Sequence, residues 1–203
     1  MKKTIFNSRQ QKGFSLIELL ISIVVLVALG WITTGVMFSV LRGSNKTNVI
    51  ENIRQNGNYA LNQISKNIEY AQTFDGVSVN GATYVPNCLN GGPSYKYQYL
   101  KVTTFNSGPL QYKCLIPPPP GSPTFTVSDD GGTTETSIVD TSSTSSIAFE
   151  NCSITCIQTN DMDVPIIGIS FTLKPVTPSG LVEDSSPPIE FKTSVAIRNY
   201  KKE

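Results

Sequence analysis

Residues 14–41 hold one charged side chain, Glu18, and residues 19–41 are 23 consecutive uncharged positions, LLISIVVLVALGWITTGVMFSVL. A helix rises 1.5 Å per residue, so about 20 such residues cross a bilayer core. Beyond residue 48 the pattern changes. Apolar groups recur at Val49, Ile50, Ile53, Ala60, Leu61, Ile64, Ile68 and Ala71, mostly in steps of three and four, the period of a helix with one buried face. The other face carries Glu51, Arg54, Asn58, Gln63, Lys66 and Asn67. Gly57 lies mid-helix and weakens it by up to about 1 kcal/mol. One helix over residues 14–72, apolar all round and then amphipathic, would be 59 residues and about 88 Å long if unbroken. Gly30, Gly35 and Gly43 are points where it could bend or unwind.

The rest of the chain reads as antiparallel sheet with long loops. Val77-Ser78-Val79 and Ala82-Thr83-Tyr84-Val85 flank Asn80-Gly81, a strong hairpin signal. Tyr95, Tyr97 and Tyr99 alternate with Lys96 and Gln98 in a strand expected over 95–105. Leu110, Tyr112, Cys114 and Ile116 form one face of the next. Residues 147–158 and 164–173 are further strands. The cleanest alternation is 189–198, with Ile189, Phe191, Thr193, Val195 and Ile197 against Glu190, Lys192, Ser194 and Arg198. Between these lie a run of four prolines, 117–120, and residues 133–146, of which ten of fourteen are Ser or Thr. That composition predicts a mobile, exposed loop over 117–146. The expected class is α+β, a long N-terminal helix packed on an antiparallel β-sheet head.

Composition narrows the chemistry. The 203 residues contain no histidine, which removes Ser-His-Asp and Cys-His catalysis, His-ligated zinc and histidine pH switching. Charged residues are 15%, below the roughly 25% of an average soluble domain. Sixteen basic residues meet fifteen acidic ones, so no positive field is present to hold nucleic acid. Asp161-Met162-Asp163 and Asp129-Asp130-Gly131 do not fill the EF-hand pattern and read as solvated loop acids. No phosphate loop is visible, and no enzyme site or cofactor is expected.

The charge is unevenly placed. Lys2, Lys3, Arg9 and Lys12 give residues 1–13 a local charge of +4, ahead of the apolar span. The positive-inside rule then leaves the N-terminus in the cytoplasm and the head outside. A conventional signal peptide would have an apolar region of about 7–15 residues closed by a small-residue cleavage site. Here the run is longer and no A-x-A motif ends it.

The junction reads Gln11-Lys12-Gly13-Phe14-Ser15-Leu16-Ile17-Glu18-Leu19-Leu20. It resembles the class III signal of type IV pilins and type II secretion pseudopilins. The resemblance implies cleavage after Gly13 by a membrane prepilin peptidase, methylation of the new N-terminus at Phe14, and Glu18 as the fifth mature residue. The chemistry is coherent. Glycine leaves a protease cleft unobstructed and extends easily. A carboxylate at bilayer depth costs a few kcal/mol, so Glu18 calls for a partner. Cleavage would create one, the α-amino cation of Phe14, at i,i+4 within one helix or across two subunits. The alternative places Glu18 at the interface, solvated by headgroups. Arg54 with Ala60-Leu61-x-x-Ile64-Ser65-x-x-Ile68-x-x-Ala71, and the closing Thr193-Ser194-Val195-Ala196-Ile197-Arg198-Asn199, look like the J and W types of minor pilin and pseudopilin.

The resemblance implies four segments: a cleaved leader 1–13, a transmembrane and filament-core helix 14–41, an amphipathic continuation 42–74 and a β-rich head 75–203. Cys88, Cys114, Cys152 and Cys156 all lie in the part expected outside, where disulfides persist. Three pairings are possible, and the simplest is Cys88–Cys114 with Cys152–Cys156. The second of these needs a turn at Ser153-Ile154-Thr155, because four residues of strand span about 13 Å. A four-cysteine zinc site and free buried thiols are the alternatives. The expected role is a structural subunit, a minor pilin or pseudopilin, with the prepilin peptidase, other subunits and the membrane as partners. An adhesin or DNA-uptake pilin using head loops is the second reading, although the neutral head counts against DNA. A membrane-tethered enzyme is the third, with no residues to support it.

Overall fold

A computed structural model describes residues 13, 15–89, 94–141, 147–176 and 187–198, the side chain of residue 45 aside. The chain divides into two units, residues 1–46 and 47–203. One helix, α1 (Leu16–Glu69), runs through Gly30, Gly35 and Gly43 without a break in its assignment. It ends three residues earlier than the periodicity suggests, and the first strand starts two residues ahead of the expected head boundary.

In the second unit two antiparallel meanders carry the core. The first sheet has the order β1 (Thr73–Ser78), β2 (Tyr99–Thr104), β3 (Gly108–Leu115), β4 (Thr124–Ser128) and β5 (Thr136–Ser137). The second has β6 (Ile147–Ile157), β7 (Ile166–Pro175) and β8 (Ile189–Ala196). Every turn of α1 from Ile53 onward presents a buried residue: Ile53, Gly57, Ala60, Ile64 and Ile68. Burying an isoleucine of this kind favours the fold by about 1.5–3 kcal/mol. Asn67 does not stay on the outer face. It is half-buried, and its Nδ2 donates to the Tyr112 hydroxyl at 3.0 Å.

Gly57 has a packing reason to be there. A Cβ at this position would fall 2.6 Å from Cε2 of Phe191, inside van der Waals contact of the ring. The glycine is the seat on which β8 lays its aromatic side chain against α1. Phe191 stacks on Phe171 of β7 at 5.3 Å, and Phe171 meets Phe125 of β4 edge-on at 5.9 Å. One aromatic series thus joins helix, second sheet and first sheet. At the far end of β8, Arg198 pairs with Glu69 at 3.0 Å and lies 5.2 Å from the Tyr70 ring. Its backbone N–H donates to the Glu69 carbonyl, where a cation also complements the helix C-terminus.

Three expectations are corrected. The Asn80-Gly81 turn forms, but no ladder follows it: Val77 and Val85 make one isolated bridge, and β1 pairs instead with β2. Asn80 Oδ1 accepts from the Ala82 and Thr83 N–H groups, so a side chain satisfies backbone that a strand would have used. The segment 117–146 is not one loop, since it holds β4 and β5, with Phe125 and Val139 buried. Alternate Thr and Ser suffice for a short edge strand when β4 supplies the hydrogen bonds. Residues 142–146 of that segment lie outside the described residues.

The third correction is the disulfide pairing. Cys88 bonds Cys156, and Cys114 bonds Cys152, with Cα–Cα separations of 5.5 and 5.9 Å. Ser153-Ile154-Thr155 stay in strand β6, as β-branched residues favour. Cys152 and Cys156 therefore share a face but stand four residues apart along it, too far to meet. Each reaches a different element: Cys114 on β3 of the other sheet, and Cys88 on the connection after β1.

Two stability measurements follow from this packing. Gly57→Ala should destabilise the protein by about 1–2 kcal/mol, since overpacking at the Phe191 ring outweighs the gain in helix propensity. Urea unfolding of the detergent-solubilised chain reads it; equal or higher stability would contradict the seat. Burial raises the Tyr112 hydroxyl pKa to about 12, the Asn67 hydrogen bond opposing only in part. Its neutral form is therefore favoured in the fold. That stability is complete below about pH 10 and is lost as pH climbs to 12, up to about 2–3 kcal/mol. Tyr112→Phe should be less stable at pH 8 yet lose less between pH 10 and 12; parallel alkaline profiles would contradict this.

Candidate processing and assembly site

The N-terminal unit is built around an apolar surface. An 18-residue window of α1 has mean hydropathy 2.5 and none of it is buried. Leu16 is 83% exposed and Trp31 82%. Three polar side chains within the run, Ser22, Thr33 and Thr34, satisfy themselves. Ser22 Oγ donates to the Glu18 carbonyl at 2.7 Å, and Thr34 Oγ1 to the Gly30 carbonyl at 2.8 Å. Thr33 Oγ1 donates to both the Leu29 and Gly30 carbonyls. With their hydrogen bonds returned to the helix, these hydroxyls are tolerated in hydrocarbon, where an unmade bond costs several kcal/mol.

Glu18 is the third residue of α1, and Ser15 stands at the N-cap position before it. The Ser15 carbonyl accepts from the Glu18 and Leu19 N–H groups at 3.0 and 3.2 Å. Ser-x-x-Glu at a helix start is the capping-box spacing. A carboxylate in the first turn gains about 0.3–1 kcal/mol from the helix dipole. That offsets only part of the few kcal/mol of placing it at bilayer depth. No cation among the described residues pairs with Glu18. Gly13 is exposed, with open space where a Cβ would stand. Phe14 and the basic leader, Lys2, Lys3, Arg9 and Lys12, lie outside the described residues.

In the second unit, a cleft of about 330 Å³ runs between α1 and strands β3–β5. Its floor is Ile64, Leu110 and Tyr112, and its rim includes Tyr59, Gln63 and Asp129. Among the described residues no Lys or Arg lines it. The acidic pairs shape turns. Asp130 Oδ1 accepts from Ser128 Oγ at 2.6 Å and from the Thr133 and Thr134 N–H groups at 2.9 Å. The Ser128 hydroxyl, then these amides, hold its carboxyl well below the usual range. Asp163 Oδ2 likewise accepts from Asn160 N and Nδ2, both at 3.0 Å.

No curated protein and no solved structure matches the chain. Residues 8–34 match the family model of the prokaryotic N-terminal methylation motif. The match takes in the Gly13-Phe14 junction, Glu18 and about the first two thirds of the apolar run, and stops short of the head. The chain carries the class III prepilin signal of type IV pilins and pseudopilins, at the start of an apolar helix in an α+β, pilin-like layout.

Proposed function

We propose that the protein is a minor pilin or pseudopilin, a structural subunit of a type IV pilus, type II secretion or related filament. It inserts as a single-pass precursor with its leader inside and its head outside. The prepilin peptidase cuts after Gly13 and the new N-terminus at Phe14 is methylated. The trimmed chain then assembles through α1 with other subunits. The observation that carries this reading is the methylation motif at the head of an apolar helical run, residues 16–41, that is exposed throughout. Such a surface needs lipid first and neighbouring helices later. Glu18 is the polar exception, and its proposed partner is the α-amino group of Phe14, in the same or the adjacent subunit. A binding module on the same scaffold is the second reading. The cleft beside α1 favours it, with an apolar floor and a rim of hydroxyl and amide groups and one carboxylate, Asp129.

Co-expression with a prepilin peptidase should yield a mature chain that begins at Phe14. Gly13→Val should leave the precursor in the membrane. N-terminal sequencing that found Met1 on assembled subunits would contradict the processing. Glu18→Ala should still be cut and inserted, because losing a carboxylate from apolar surroundings is favourable by a few kcal/mol. Its crosslinking to partner subunits should fall sharply, and Glu18→Gln should behave alike, keeping shape without charge. Wild-type assembly of both variants would overturn the charge pair.

A further inference from the structure

The two disulfides are concentric in sequence. Cys88–Cys156 spans 68 positions and encloses Cys114–Cys152, which spans 38. Both need β6, the last cysteine-bearing element to be made. Cys88 and Cys114 are only 26 positions apart and precede it. Chain entropy makes closure over 26 positions about fourfold more favourable than over 68. At roughly 5–20 residues per second, synthesis leaves these two thiols without native partners for about 2–8 s. Disulfide formation reaches that timescale. In the fold all four cysteines are buried, and the backbone N–H of Cys88 donates to Oε1 of buried Gln158, beyond β6. The environment that selects Cys156 for Cys88 therefore exists only after β6 has docked.

We infer that a disulfide-bearing thiol oxidase, taking up two electrons and two protons for each bond closed, first gives the exported chain non-native Cys88–Cys114 and then Cys152–Cys156, and that the fold is reached through a thiol–disulfide isomerase, an enzyme presenting a nucleophilic cysteine thiolate. The exchange is redox-neutral. The enzyme thiolate attacks Sγ of Cys114, forms a mixed disulfide and releases the Cys88 thiolate. Cys88 attacks Cys156 in the Cys152–Cys156 bond, forms its native disulfide and releases the Cys152 thiolate. Cys152 attacks Cys114 in the mixed disulfide, completes the second native bond and returns the enzyme thiolate. Non-native Cys152–Cys156 closes readily while residues 152–156 are unstructured. Strand β6 then forbids it, which drives the exchange forward.

The test is a pulse-chase of the full chain in bacteria with and without their periplasmic disulfide isomerase. Thiols are blocked by alkylation and linked peptides mapped by mass spectrometry without reduction. Without the isomerase, Cys88–Cys114 peptides should accumulate and native pairs fall by roughly fourfold. An isomerase restored with its nucleophilic cysteine intact should recover them, and one with that cysteine replaced should not. A chain with Cys114→Ser and Cys152→Ser keeps a single possible bond, so its Cys88–Cys156 yield should not depend on the isomerase. Equal native yields in both strains would overturn the proposal, as would isomerase dependence of the two-cysteine chain. Four free thiols in a protease-shielded head would overturn the outward topology and the proposal with it.

Discussion

An apolar helix that stays exposed is the constraint on which everything else depends. Returning one large aliphatic side chain to water costs about 1.5–3 kcal/mol, and residues 16–41 present many. A domain stable by some 5–15 kcal/mol could not carry that cost in solution. The surface must therefore be covered by lipid or by other helices. Ser22, Thr33 and Thr34 are compatible with either because their hydroxyls bond back to the helix. Glu18 is not so easily accommodated. The helix dipole offsets a fraction of its cost, so the remainder calls for a cation, and trimming at Gly13 would supply one close by.

The head solves a different problem, holding two meanders and a helix around one core. Gly57 gives up helix propensity so that Phe191 can lie on the backbone, and Phe171 and Phe125 extend that contact into both sheets. Cys114–Cys152 makes the same inter-sheet connection covalently. Arg198 and Glu69 close the far end of the helix on β8, a partly exposed pair that adds geometry more than energy.

Much of this was legible in sequence because periodicity reports burial directly. The steps of three and four after residue 48 marked the buried face of α1, and the alternation at 189–198 gave the inward Ile189, Phe191 and Val195 of β8. Local signals failed where distant partners decided the outcome. Gly57 read as a weakness because nothing nearby in sequence announces the Phe191 ring. Asn80-Gly81 promised a hairpin, but Asn80 caps its own turn and β1 finds its partner beyond residue 98. Proximity misled the cysteine pairing, since it measures loop closure in the unfolded chain rather than distance between strands. Asn67 looked like a surface residue until Tyr112 supplied a buried hydroxyl. At the site, Gly13-Phe14 and Glu18 stood out as a motif, and the helix start at Ser15 lay inside it.

The central claim is that the helix surface is covered from outside the chain. A photo-crosslinking amino acid in place of Trp31, 82% exposed on that surface, tests it in cells. With the assembly machinery present, adducts to other pilin subunits should form; without it, they should be replaced by lipid adducts. A crosslink from position 31 to the protein's own head in both conditions would contradict the account.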